Sequence, residues 1–134
     1  MIGSDELAKA IAKATDQRDV HTYVHKESGP DGARILSILR PAKMPERIRP
    51  FFNSLCAARV GLIEVSAIDA TFGEVLVGFA SAGIGKGIFV VNPPPGEWVD
   101  EDQVKAFIAQ AGLSGWKQGH SDGIDLRSAL YGLM

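Results

Sequence analysis

The chain has 134 residues, 46% of them hydrophobic and 22% charged, which suits one folded domain with a real core and excludes a disordered chain. A formal net charge of −2 argues against nucleic-acid binding by overall charge, and the uncharged run from Val75 to Gly85 is too short to cross a bilayer. The start lacks the basic-then-apolar layout of a secretory signal, and the single Cys56 forms no internal disulfide, so a cytoplasmic protein without membrane partners is expected.

Ser4 precedes "DELAKAIAKA", where Leu7, Ala8, Ile11 and Ala12 recur at helical spacing. Ser4 suits the N-cap, and Asp5 and Glu6 suit the positive end of the helix dipole. "VHTYVH" (20–25) and "ARILSILR" (33–40) have strand composition and are joined by "ESGPDG", which predicts a hairpin. "PERIRPFFNSLCAA" (45–58) predicts a helix with Ile48, Phe52, Leu55 and Cys56 inward. Pro45 suits its first turn, whereas Pro50 removes a donor one turn in and is expected to kink the start.

"VGLIEVSA" (60–67) has almost no exposed face, the pattern of a strand covered on both sides. "FGEVLVGFASAG" (72–83) predicts a helix with Val75, Leu76, Phe79 and Ala80 inward, and "GIFVVN" (87–92) another buried strand. After the abrupt loop "NPPPGEW", "DEDQVKAFIAQAG" (100–112) predicts a helix with Val104, Phe107 and Ile108 inward. "GWKQG" reads as a short strand and "GIDLRSALYGL" as the closing helix. Strands and helices alternate from residue 60 onward, which implies right-handed crossovers. The expected fold is a three-layer α/β/α domain over residues 1–134, its sheet mostly parallel with one antiparallel edge strand from the hairpin.

"GIGKG" (83–87) has the look of half a phosphate loop. Such a loop runs from strand to helix and ends in Lys followed by Ser or Thr. Here the order is helix to strand, and Lys86 precedes Gly87, so the glycines are read as a helix C-cap and turn. His21, His25 and Cys56 lack metal-ligand spacing. The two histidines share a strand face, read as solvated or at a sheet edge. "HSD" (120–122) and "AGLSGW" (111–116) fall short of a serine-hydrolase elbow. Glu64 is the one acid in an otherwise buried strand, either part of a site or set near an open face or paired with an Arg or Lys; Arg40, Lys43, Arg47 and Arg49 gather at the start of the second helix as an anion-friendly patch, with a solvated face as the default.

Residues 45–92 resemble the matching stretch of archaeal proteins related to elongation factor Tu and the selenocysteine-specific factor, including the SelB-like factor of pyrrolysine-using methanogens. The resemblance rests on Met44-Pro45 leading a helix, the turn from Asp69 to Gly73-Glu74, and Ala82-Gly83 through Gly87-Ile88-Phe89-Val90. Trp116 and residues 123–130 are similar to the family's closing strand and helix. The resemblance implies a degenerate GTPase-like domain. The phosphate loop is reduced to residues 2–4, the switch aspartate falls on Arg40, and the guanine-reading motif falls on Asn92-Pro93-Pro94-Pro95. It implies no required cofactor, with Gly3, Ser4 and Asn92 left from a GTP site, and a non-catalytic role beside the ribosome, tRNA or a translation-associated protein. Arg40, Lys43, Arg47 and Arg49 are the expected partner-binding residues. A GTP- or GDP-binding domain of a larger factor and a flavodoxin-like small-ligand module are the alternatives.

Overall fold

The computed structural model describes residues 1–30, 32–42 and 48–134. Along the chain run α1 (Asp5–Ile11), β1 (Lys13–Gln17), β2 (Val20–Gly29), β3 (Gly32–Pro41), α2 (Arg49–Ala57), β4 (Gly61–Val65), α3 (Ala70–Ser81), β5 (Gly87–Val91), α4 (Glu101–Gln110), β6 (Lys117–Gly119) and α5 (Gly123–Leu133). The strands form two sheets: an antiparallel β1-β2-β3 meander and a parallel β4-β5-β6 sheet. This corrects the expectation of one mostly parallel sheet with a single antiparallel edge strand. The reason lies in the first residues of the chain, which sit between the two sheets. Ile2 makes one isolated parallel bridge to Ile63, and the Met1 nitrogen donates to the Leu39 carbonyl across 2.7 Å. One bridged residue is too little backbone to knit β3 and β4 into a continuous sheet.

Helices cover both faces of the parallel sheet. Ile63, Val65 and Phe89 join a core with Phe51 and Leu55 of α2, Val75 and Phe79 of α3, and Val104 and Ile108 of α4. Leu62, Ile88 and Val90 alternate to the opposite face and meet Leu7 and Ile11 of α1, Leu126 and Leu130 of α5, and Tyr23 and Ile38 of the meander. This explains why β4 and β5 carry near-continuous apolar runs.

Local chemistry sets most element ends. The Ser4 hydroxyl accepts from the Leu7 N–H, and Asp69, Asp100 and Asp122 cap α3, α4 and α5 in the same manner. Helix α1 stops at Ile11, short of the helical pattern expected to run to residue 14. Lys13 and Ala14 instead pair with Val24 and Tyr23, making β1 a strand that local propensity did not signal. Pro50 falls in the first turn of α2, where its missing N–H costs nothing, so no kink arises there. The inward face of α2 also differs from expectation: Phe51, Ser54 and Leu55 are buried, whereas Ile48, Phe52 and Cys56 are exposed. Gly78 of α3 decides this. A Cβ there would lie 2.6 Å from the Phe51 ring, so only glycine lets that ring, rather than Phe52, enter the core. In α4, Val104 and Ile108 are buried, but Phe107 is 39% exposed and packs edge-on against Phe72.

The glycine-rich connector after α3 is a Schellman turn. The Gly83 N–H donates to the Ala80 carbonyl and the Ile84 N–H to the Phe79 carbonyl, with Gly83 at a φ of 74°. Gly83→Ala is therefore expected to lower stability by about 1 kcal/mol, read from a shift in urea midpoint at unchanged slope. No change would mean that the turn relaxes. Gly87 has a different reason, because a Cβ there would lie 2.4 Å from the Trp116 ring, which lies across the strand.

Candidate functional site

A crevice of about 490 Å³ opens where the chain start, the end of β3 and the C-terminal ends of β4 and β5 converge. Gly3, Ser4, Arg40 and Asn92, drawn from three separate stretches, all line it, together with Glu64, Ser66, Thr71 and residues 93–95. The crevice at the carboxyl ends of parallel strands is where open α/β sheets commonly hold ligands.

Glu64 organises it. Leu62 and Glu64 alternate away from the Ile63–Val65 face of β4, and the Glu64 carboxylate emerges between the chain start and β5. One carboxylate oxygen accepts the Ser4 backbone N–H at 2.8 Å and the other accepts the Asn92 amide at 2.9 Å. The Glu64 N–H in turn donates to the Ile2 carbonyl at 2.8 Å. Gly3 permits this closeness, since a Cβ there would lie 2.8 Å from that of Glu64. The Ser4 N–H and the Asn92 amide are thus both taken up by an internal carboxylate.

Arg40 forms the opposite wall, and its side chain is only 11% exposed. Its Nε donates to the Tyr23 hydroxyl at 3.0 Å and Nη1 to the Gly3 carbonyl at 3.2 Å; Nη2 lies 2.8 Å from His21 Nδ1. A guanidinium only donates, so that imidazole nitrogen accepts. The Tyr23 hydroxyl in turn donates to the Asp5 carboxylate at 2.6 Å. Burial, and then the bond to Asp5, push the Tyr23 hydroxyl above its ordinary pKa. The Lys9 and Tyr23 hydrogen bonds hold Asp5 below the usual carboxylate value.

The expected basic patch is divided by this geometry. Arg40 turns into the protein, Arg49 is exposed at the start of α2, and Lys43 and Arg47 lie outside the described residues, as do Met44 and Pro45. The histidines are not on a solvated face. They share the parity of fully buried Tyr23, with His21 against Arg40 and His25 Nδ1 3.0 Å from the Tyr131 hydroxyl. Among the described residues, no group of three His, Cys, Asp or Glu is placed to hold a metal ion. Nor is any helix among them long and apolar enough to cross a membrane.

Two features escaped the sequence reading. The relay from Arg40 through Tyr23 to Asp5 links three elements and has no spacing motif. Trp98, three residues past Pro95, is 81% exposed, although its residue type is one that usually finds cover. A lone large aromatic in a proline-rich loop was the available signal.

The chain is similar to an uncharacterized protein of Methanocaldococcus jannaschii, with 27% identity over 127 residues. The match covers 95% of this chain and 39% of that protein, so the chain spans well under half the length of this relative. No family model and no solved structure matches it.

Proposed function

We propose that this chain is a non-catalytic interaction domain that works beside translation, as its resemblance to elongation factor Tu and SelB-like factors implies, and that its nucleotide crevice is closed from within. The observation that carries this reading is the Glu64 carboxylate held by Ser4 and Asn92. A triphosphate entering the crevice would meet a fixed negative charge in place of preorganised donors, whereas phosphoryl transfer depends on donors aimed at the phosphates and a metal between them. Arg40, where the resembling factors carry the switch aspartate, brings a cation to the metal position and spends it on Gly3, Tyr23 and His21. Residues 93–95 supply three prolines where guanine would need a carboxylate. Exposed Arg49 and Trp98 are the side chains suited to a partner, since Trp and Arg dominate interface energies.

Calorimetric titration with GTP, GDP and ATP in the presence of Mg²⁺ tests the first half. No low-micromolar binding and no preference for guanine over adenine is expected. Low-micromolar, guanine-selective binding would replace this reading with that of a GTP-binding domain. Co-sedimentation with ribosomes and filter binding of tRNA test the second half. Trp98→Ala should weaken whichever association is found by about 2 kcal/mol while leaving stability unchanged. Arg49→Glu should weaken it most at low salt. Absence of both associations would remove translation from the proposal.

A further inference from the structure

We infer that the Glu64 crevice binds the ammonium group of a primary amine, supplied by a small alkylamine or by a lysine side chain. The inference rests on the proposed reading that this crevice does not take nucleotides, and it names the class of ligand that the crevice takes instead.

The hydrogen-bond balance of the walls carries it. The fixed donors are engaged inside the protein. The Ser4 N–H and the Asn92 side-chain amide both go to Glu64, and the Asn92 backbone N–H goes to the Val65 carbonyl at 2.9 Å. Arg40 directs Nε to Tyr23, Nη1 to Gly3 and Nη2 to His21. Pro93, Pro94 and Pro95 line the crevice and have no backbone N–H to offer. Acceptors remain. A carboxylate has room for about four hydrogen bonds, and two donors reach Glu64 among the described residues, one on each oxygen. The Asn92 amide oxygen and the Ser66 and Thr71 hydroxyls are further acceptors in the same lining.

Charge points the same way. Among the described residues, the charged side chains that line the crevice are Glu6, Glu64 and Arg40, so carboxylates outnumber the guanidinium. The Arg40 charge is met from outside the crevice by Asp5 at 4.0 Å. The start of α3 brings Thr71, but Asp69 caps that helix by accepting the Phe72 N–H at 2.9 Å. Its carboxylate sets a negative charge against the positive end of the helix dipole. A cation that carries several donors would complete the open acceptors and meet the excess charge together.

Among cations, an ammonium suits these walls best. It is a compact charge with three donors. A guanidinium needs a carboxylate free to take its fork, and both Glu64 oxygens already hold a donor. A metal ion needs more ligands of its own kind, and among the described residues no group of three His, Cys, Asp or Glu is placed for one. The volume of about 490 Å³ admits an alkyl chain behind the head group, with Ile2 and the three prolines as its apolar walls.

The test is an NMR titration of the whole chain at neutral pH with n-butylammonium, and with n-butanol as its neutral counterpart. Butylammonium should shift the Ser4 amide and the Asn92 side-chain amide, and should bind at least about tenfold more tightly than butanol. Glu64→Gln should remove that advantage. A second arm compares lysine blocked at both backbone ends with butylammonium. Tighter binding of the blocked lysine assigns the site to a polypeptide side chain, and weaker or no binding of it assigns the site to a free amine. Equal binding of butylammonium and butanol to the parent chain would overturn the inference. So would absence of butylammonium binding, or binding that leaves Ser4 and Asn92 unshifted. Guanine-selective nucleotide binding would instead remove the reading of the crevice on which the inference rests, so the two failures are distinct.

Discussion

Trp116→Ala is expected to lower the stability of the domain by about 4 kcal/mol, near the top of the range for single core truncations. Trp116 is 5% exposed, and its ring lies over two strands at once. Cβ atoms built on Gly61 and Gly87 would fall 2.3 and 2.4 Å from it, so the glycines form a flat bed that nothing else fills. Phe79 meets the ring edge-on at a centroid distance of 5.0 Å, and the indole Nε1 donates to the Ile84 carbonyl at 3.0 Å. Removing the ring leaves a cavity that two glycines cannot collapse into, and it orphans the Ile84 carbonyl in the same step. Trp116→Phe should keep much of the packing and lose the hydrogen bond, with a cost of about 2 kcal/mol. Gly87→Ala attacks the same contact from the other side and should cost about 3 kcal/mol by overpacking. Urea denaturation followed by circular dichroism measures all three. A loss below about 1 kcal/mol for Trp116→Ala would mean that the ring is not the keystone of this face.

Arg40→Asp is the second large effect, and it also probes the crevice. The substitution adds a carboxylate to the crevice beside Glu64, yet it should not create a metal site. It should instead cost about 3 kcal/mol. Arg40 bonds Tyr23, the Gly3 carbonyl and His21, and its guanidinium lies 4.0 Å from Asp5. A short carboxylate in its place cannot donate to any of these acceptors and brings a like charge towards Asp5. Arg40→Lys should lie between, because one ammonium cannot reproduce three divergent bonds. The check is thermal unfolding with and without millimolar Mg²⁺. Stabilisation of Arg40→Asp by Mg²⁺, absent in the parent chain, would show that the crevice still holds the geometry of a metal site and would weaken the proposed reading.

The local punctuation of the fold was legible in the residues. Ser4 as a cap, the Pro/Asp/Gly hairpin linker, the buried runs at 61–65 and 87–91, and Gly83 as a left-handed cap each rest on chemistry within a few neighbours. The crevice was less legible. Gly3, Ser4, Arg40 and Asn92 stand together along its walls, a proximity that no local pattern records. Arg40, read as part of a basic patch, points inward, and Glu64, noted only as the one acid in a buried strand, sits at the centre.

Apolar periodicity and capping residues were thus enough to place ten of the eleven elements among the described residues and to mark the chain as alternating α and β beyond residue 60. They act over one or two turns, and their physics is contained in the residues themselves. Tertiary structure alone decided the strand status of residues 13–17, the choice of Phe51 over Phe52, and the division into two sheets. Each depends on a partner distant in sequence: Val24 and Tyr23 for β1, Gly78 for Phe51, and, for the two sheets, the single Ile2 bridge to β4. Such pairings are won by backbone groups and space that no local pattern records, because a hydrogen-bonding edge or a missing Cβ takes its meaning only from what is brought against it.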